Sequence, residues 1–64
     1  MWYQNIRIRL DKPIVLKRDG ETFTAETIIQ TISCRSKKEL LEKIETIKTD
    51  GTFIETVDEP YHRL

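Results

Sequence analysis

One cysteine, Cys34, and one histidine, His62, stand among the 64 residues. An intramolecular disulfide is excluded by that count, and so is a structural zinc site within one chain, which draws four Cys and His ligands. Glycine occurs only at Gly20 and Gly51, so the Gly-rich loops that cradle phosphates in Walker and dinucleotide motifs have no place to form. No Asp-x-Asp loop carries a Glu at the spacing that calcium needs. No apolar run reaches the length of a membrane span, and the opening segment MWYQNIRIRLDK lacks the apolar stretch of a signal peptide. The expected compartment is the cytoplasm.

Charge of one sign is also missing. Eleven Lys and Arg balance eleven Asp and Glu, which leaves no global field to draw in nucleic acid or an anionic membrane. The balance is built from blocks of alternating sign: +4 over residues 1–18, −3 over 19–34, +2 over 35–48 and −3 over 49–64. A basic start and an acidic end can neutralise each other within one sheet or between two copies of the chain. With 34% charged residues and only two prolines, the chain reads as one ordered domain, 1–64.

Ile6, Ile8 and Leu10 alternate with Arg7, Arg9 and Asp11, the period of two of a strand with one buried face, and place a first strand at 3–10. Pro13 opens the short apolar run Ile14-Val15-Leu16-Lys17, read as a second strand. Asp19-Gly20 then separates two β-prone runs and predicts a tight hairpin, because both central residues need positive φ. From Phe23 to Cys34 the spacing of Ala25, Ile28, Ile29 and Ile32 suits a helix, but Thr, Ile and Phe make up most of the segment. Their crowding against a preceding helical turn favours a strand. The apolar face switches between Ala25 and Ile28, which predicts a bulge near Thr27.

Ser36-Lys37-Lys38-Glu39 is a capping box. Leu40, Leu41, Ile44 and Ile47 follow as one apolar stripe, with Glu39 and Lys43 as an i, i+4 pair, Lys48 at the C-terminal dipole and Gly51 suited to a left-handed cap. A helix is expected over about 37–49. Thr52 to Val57 reads as a last strand, and Asp58-Glu59-Pro60 turns the chain into a short fraying tail, Tyr61 to Leu64. The expected fold class is α+β: a two-layer sandwich in the order strand-strand-strand-helix-strand, with one helix on a mostly antiparallel sheet.

The inventory for chemistry is thin. His62 lies near the chain end with no nucleophile placed beside it by the sequence, and Cys34 before the helix cap reads as a half-buried filler. The acids Asp19 and Glu21, or Glu55 with Asp58 and Glu59, fall at turns and strand ends where solvated carboxylates sit. No enzymatic activity, cofactor or metal is expected.

Binding is the remaining reading. If Ile6, Ile8 and Leu10 face the helix, then Tyr3, Asn5, Arg7 and Arg9 share the opposite face, an aromatic and guanidinium row able to stack on bases and pair with phosphates. The structural counterpart is that Arg7 and Arg9 pair across the sheet with Glu26, Glu55 or Asp58. Tyr61, His62 and Arg63 form a second small cluster. Trp2, Tyr3, Val15 and Phe53 or Ile54 cannot all reach one helix, so apolar surface is left over, for which a second copy is the default cover.

In its size and its richness in Ile, Lys, Glu and Thr the chain resembles, in general style, small proteins carried by bacteriophages and mobile elements, which often inhibit or sequester a host component. The expected function is a non-enzymatic, homo-oligomeric interaction protein that binds or inhibits a protein target or sequesters a small anionic ligand such as a nucleotide between subunits. Its expected binding residues are Trp2, Tyr3, Arg7, Arg9, Tyr61, His62 and Arg63. The alternative is a nucleic-acid-binding module on the Tyr3, Arg7 and Arg9 strand face, which the zero net charge disfavours.

Overall fold

The computed structural model describes all 64 residues and orders them as β1 (Trp2–Arg18), β2 (Glu21–Cys34), α1 (Lys37–Ile47), β3 (Phe53–Thr56) and β4 (Tyr61–His62). All pairings are antiparallel: β1 has β2 along one side, and β3 and β4 along the other. With α1 packed on one face, the chain is an α+β fold of one helix on an antiparallel sheet, the class that the sequence pattern gives.

Two details of the element order differ from the sequence reading. The first two expected strands are one strand, β1, in which Pro13 falls inside an irregularity and not at a strand start. A residue without a backbone donor is tolerated there because the ladder is already interrupted. The expected tail is instead tied down: Tyr61 and His62 pair with Tyr3 and Trp2, and the terminal ammonium of Met1 donates to the Arg63 carbonyl at 3.0 Å.

Arg18 and Glu21 face each other across the two-residue turn, where Asp19 (φ 53°) and Gly20 (φ 80°) both take the left-handed conformation. That is the type I′ pattern whose twist matches the strands it joins.

The hairpin is 17 and 14 residues long and sets the molecule's 43 Å long axis. Its register breaks once. Arg9 lies opposite Thr27 and Ile14 opposite Ala25, so Leu10, Asp11, Lys12 and Pro13 stand against Glu26 alone. The extra residues therefore belong to β1, and the expected bulge in β2 at Thr27 is corrected to an irregularity in its partner. β2 keeps its alternation throughout, and the switch of its apolar face is real rather than repaired.

The core is small. Ile6, Ile32, Leu40 and Ile44 are its buried apolar residues, with Trp2, Ile8, Cys34, Ile47 and Phe53 packed around them. Helix α1 starts as its cap dictates: Ser36 is extended, and its hydroxyl accepts from the Glu39 N–H at 3.1 Å. Leu41 is exposed and does not share the apolar stripe. The helical ion pair is Glu45 with Lys48 at 3.0 Å, in place of the Glu39 and Lys43 pairing expected from spacing. Gly51 has no left-handed φ. The helix instead closes with the Thr49 and Asp50 amides on the carbonyls of Thr46 and Ile47.

Candidate interaction surface

Residues directly opposite in an antiparallel ladder share a face, and successive residues alternate. Ile6 and Ile32 are in the core, so the helix face carries Trp2, Gln4, Ile6 and Ile8 from β1, opposite Cys34, Ile32, Gln30 and Ile28. The open face carries Tyr3, Asn5, Arg7 and Arg9, opposite Ser33, Thr31, Ile29 and Thr27. The expected row of Tyr3, Asn5, Arg7 and Arg9 therefore exists and points away from α1.

Three layers of cross-strand contacts build this face, with Arg9 beyond them. At one end Tyr3 stacks on Tyr61, ring centroids 5.6 Å apart and planes 23° from parallel, with the Arg63 guanidinium 5.9 Å from the Tyr61 ring. Next, Asn5 is held from both sides. Asp58 accepts from its backbone N–H at 2.9 Å and from its side-chain amide at 2.6 Å, and the Thr31 hydroxyl donates to its side-chain oxygen at 2.6 Å. Third, the Arg7 Nε donates to Glu55 at 3.1 Å while a second guanidinium nitrogen reaches Thr27 Oγ1 at 3.4 Å. Arg9 stands last, with no acid on it. The structural counterpart of the binding row thus holds for Arg7, which is already neutralised by Glu55.

Beyond Arg9 the face changes character. After the register break Ile14 lies opposite Ala25 and Leu16 opposite Phe23, and the unbroken alternation of β2 places all four on the open face. Ile14, Leu16 and Phe23 are 41%, 51% and 49% exposed. Every residue from Asp11 to Thr24 is exposed: this half of the hairpin projects past α1 and β3 with nothing packed on it. Sequence reading located the face switch but not this patch, because it expected a bulge to return the apolar residues inward.

The remaining expected site residues lie elsewhere. Trp2 and His62 are paired across β1 and β4 on the helix face, ring centroids 5.2 Å apart, with Lys37 Nζ 5.6 Å from the Trp2 ring. The expected residues therefore form two clusters back to back: Trp2 with His62, and Tyr3, Arg7, Arg9, Tyr61 and Arg63. They do not make one site. Asn5 stands in the expected row, but Asp58, expected as a partner for Arg7 or Arg9, holds Asn5 instead, and Thr31 carries no sequence signal that marks it out.

One chain encloses no pocket, and no three His, Cys, Asp or Glu side chains gather closely enough to hold a metal. No helix is long and apolar enough to cross a membrane. Fold and surface together define a two-layer α+β module with a polar, cross-linked half and an uncovered apolar half on its open sheet face. No protein-family model, curated protein or solved structure matches the chain.

Proposed function

We propose that the protein is a non-enzymatic interaction protein that works as a homo-oligomer and docks its open sheet face on a protein target. The observation that carries this is the apolar patch of Ile14, Leu16 and Phe23 on a projecting hairpin. Covering the exposed half of each such side chain stabilises a complex by about 1 kcal/mol, roughly half of what full burial gives, and none of the three belongs to the core of four buried apolar residues. Arg9 at the border of the patch supplies an unpaired cation for an acidic group on the target. Inhibition or sequestration of a host component is the role that fits a small module of this kind. A small anionic ligand would need a pocket between subunits.

Sedimentation velocity across a micromolar concentration series tests this reading. Reversible growth in mass is expected, and a species that stays monomeric throughout overturns it.

The nucleic-acid reading keeps one observation in its favour, the Tyr3 and Tyr61 stack with Arg63 beside it, on the same sheet face as Arg9. Against it, the stacked rings cover each other and Arg7 is held by Glu55, so few unpaired cations remain for phosphates. Absence of oligonucleotide binding at low salt removes it.

A further inference from the structure

The molecule has several strand edges, and all but one are blunted. The outer edge of β1 beyond Arg9 carries Asp11, Lys12, Pro13, Lys17 and Arg18 and is broken by the irregularity, all devices that discourage pairing with another chain. Next to Tyr3 to Ile8 the same edge is covered by β4 and β3. β3 itself is four residues long, with its own register shift.

The outer edge of β2 has none of these protections. It pairs with β1 alone. Over Thr27-Ile28-Ile29-Gln30-Thr31-Ile32-Ser33 it holds no charge, proline or glycine, and five of these residues are β-branched. Its free hydrogen-bonding groups can be named. The Asn5 carbonyl accepts from Val57 at 2.9 Å and the Arg9 N–H donates to Thr52 at 2.7 Å, so odd-numbered residues of β1 direct their backbone away from β2. The even ones, Gln4, Ile6 and Ile8, face Ile32, Gln30 and Ile28. In an antiparallel ladder the intervening residues point the other way, which leaves the N–H and C=O groups of Thr27, Ile29, Thr31 and Ser33 on the open edge.

From this we infer that a second copy of the chain pairs antiparallel along β2, about a two-fold axis near Ile28, to make one continuous sheet with both helices on the same side. The inference rests on the homo-oligomeric reading above and gives it a geometry. Charge selects the partner and its direction. β2 begins at Glu21, and the chain that follows it carries Arg35, Lys37 and Lys38. A two-fold antiparallel pair sets the acidic start of each strand against the basic end of the other: Glu21 faces Arg35 of the second copy, and Glu26 faces its Gln30. A parallel in-register pair would oppose Glu21 to Glu21 and Glu26 to Glu26. The pairing also answers a stability problem within one chain. The projecting half of the hairpin is only two-stranded, and isolated two-stranded hairpins are marginal in water. In the dimer the second copy's β2 lies beside it as a third strand.

Hydrogen exchange read by NMR at low and high protein concentration tests the arrangement. The amides of Thr27, Ile29 and Thr31 are expected to exchange freely in dilute protein and become protected as the mass doubles, while those of Ile28 and Gln30 are protected in both. Ile29→Pro removes only an outward N–H, so a folded monomer with unchanged helix and strand circular dichroism is expected. Glu21→Arg is expected to weaken association by about tenfold through two symmetry-related repulsions, and adding Arg35→Glu to restore it. A monomer at every concentration overturns both this inference and the functional reading. An oligomer whose Thr27, Ile29 and Thr31 amides stay fast overturns the edge pairing alone, and this holds even if the proline variant fails to fold.

Discussion

Asp58 grips Asn5 at two points, accepting its backbone N–H at 2.9 Å and its side-chain amide at 2.6 Å, while the Asp58 carbonyl accepts from Gln4 at 2.8 Å. One residue thereby fastens the β3–β4 connection to the N-terminal part of β1, next to the fully buried Ile6. Replacing it by alanine strands a half-buried amide and a strand N–H. Asp58→Ala is expected to lower stability by about 1–3 kcal/mol in urea unfolding, whereas Glu59→Ala next to it, exposed and without a partner, stays within about 0.5 kcal/mol.

Leu40 and Leu41 are adjacent in sequence and opposite in role. Leu40 is completely buried against Ile6, Ile32 and Ile44, and Leu41 is 44% exposed. Leu40→Ala is expected to cost about 2–5 kcal/mol, which in a core of this size abolishes a cooperative thermal transition. Leu41→Ala should leave the transition in place.

The same pair shows what sequence could and could not tell. The helix and its start were legible because Ser36 and Glu39 act within one turn, and Asp19-Gly20 because positive φ is a local demand. Successive helical side chains are about 100° apart, so periodicity admits both leucines to the stripe, and only the packing of the helix on the sheet separates buried Leu40 from exposed Leu41. Strand β4 was not legible because its pairing depends on Trp2 and Tyr3 at the other end of the chain. The face switch between Ala25 and Ile28 was visible, but the extra residues that accommodate it can sit in either strand, and β2 alone does not record which. For the interaction surface, alternation placed Tyr3, Asn5, Arg7 and Arg9 correctly, while the Arg7 pairing with Glu55 required the register of β3.

Gly20 and Gly51 should respond differently to alanine. A Cβ at either meets no atom within 4 Å, but Gly20 has φ +80° and Gly51 does not lie in the left-handed region. Gly20→Ala is therefore expected to destabilise by about 1 kcal/mol through backbone strain alone. Gly51→Ala should be neutral or stabilise by about 0.4–1 kcal/mol, since it restricts the unfolded chain without straining the folded one. Melting temperatures of the two variants decide this.

Asp50 offers a pH signature at the turn after α1. The Thr52 backbone N–H and hydroxyl both donate to its Oδ1, at 3.0 and 3.1 Å, and hold its carboxyl below the ordinary aspartate value. A group whose folded pKa is depressed stabilises the fold above its unfolded pKa and loses that contribution as pH falls through the folded one. The stability gap between the wild type and Asp50→Ala should thus be constant near neutrality and narrow on acidification below the carboxylate range. A gap independent of pH would show that the turn is held by the backbone alone.

Leu16 and Phe23 face each other on the projecting hairpin, half exposed and outside the core. A purely structural role predicts that Leu16→Ser with Phe23→Ser lowers the thermal midpoint of the dilute protein, because the sheet loses the about 0.2–1 kcal/mol that the cross-strand pair contributes. A docking role predicts something different: a nearly unchanged midpoint, with marked loss of binding to an apolar dye and of any target complex. Protection of the β2 edge amides at high protein concentration should persist in this variant, because the edge hydrogen bonds come from backbone groups that neither substitution removes. Comparing the midpoint, the dye signal and the Ile29 amide in one variant therefore separates the open face, as the surface offered to a target, from the β2 edge, as the surface offered to a second copy.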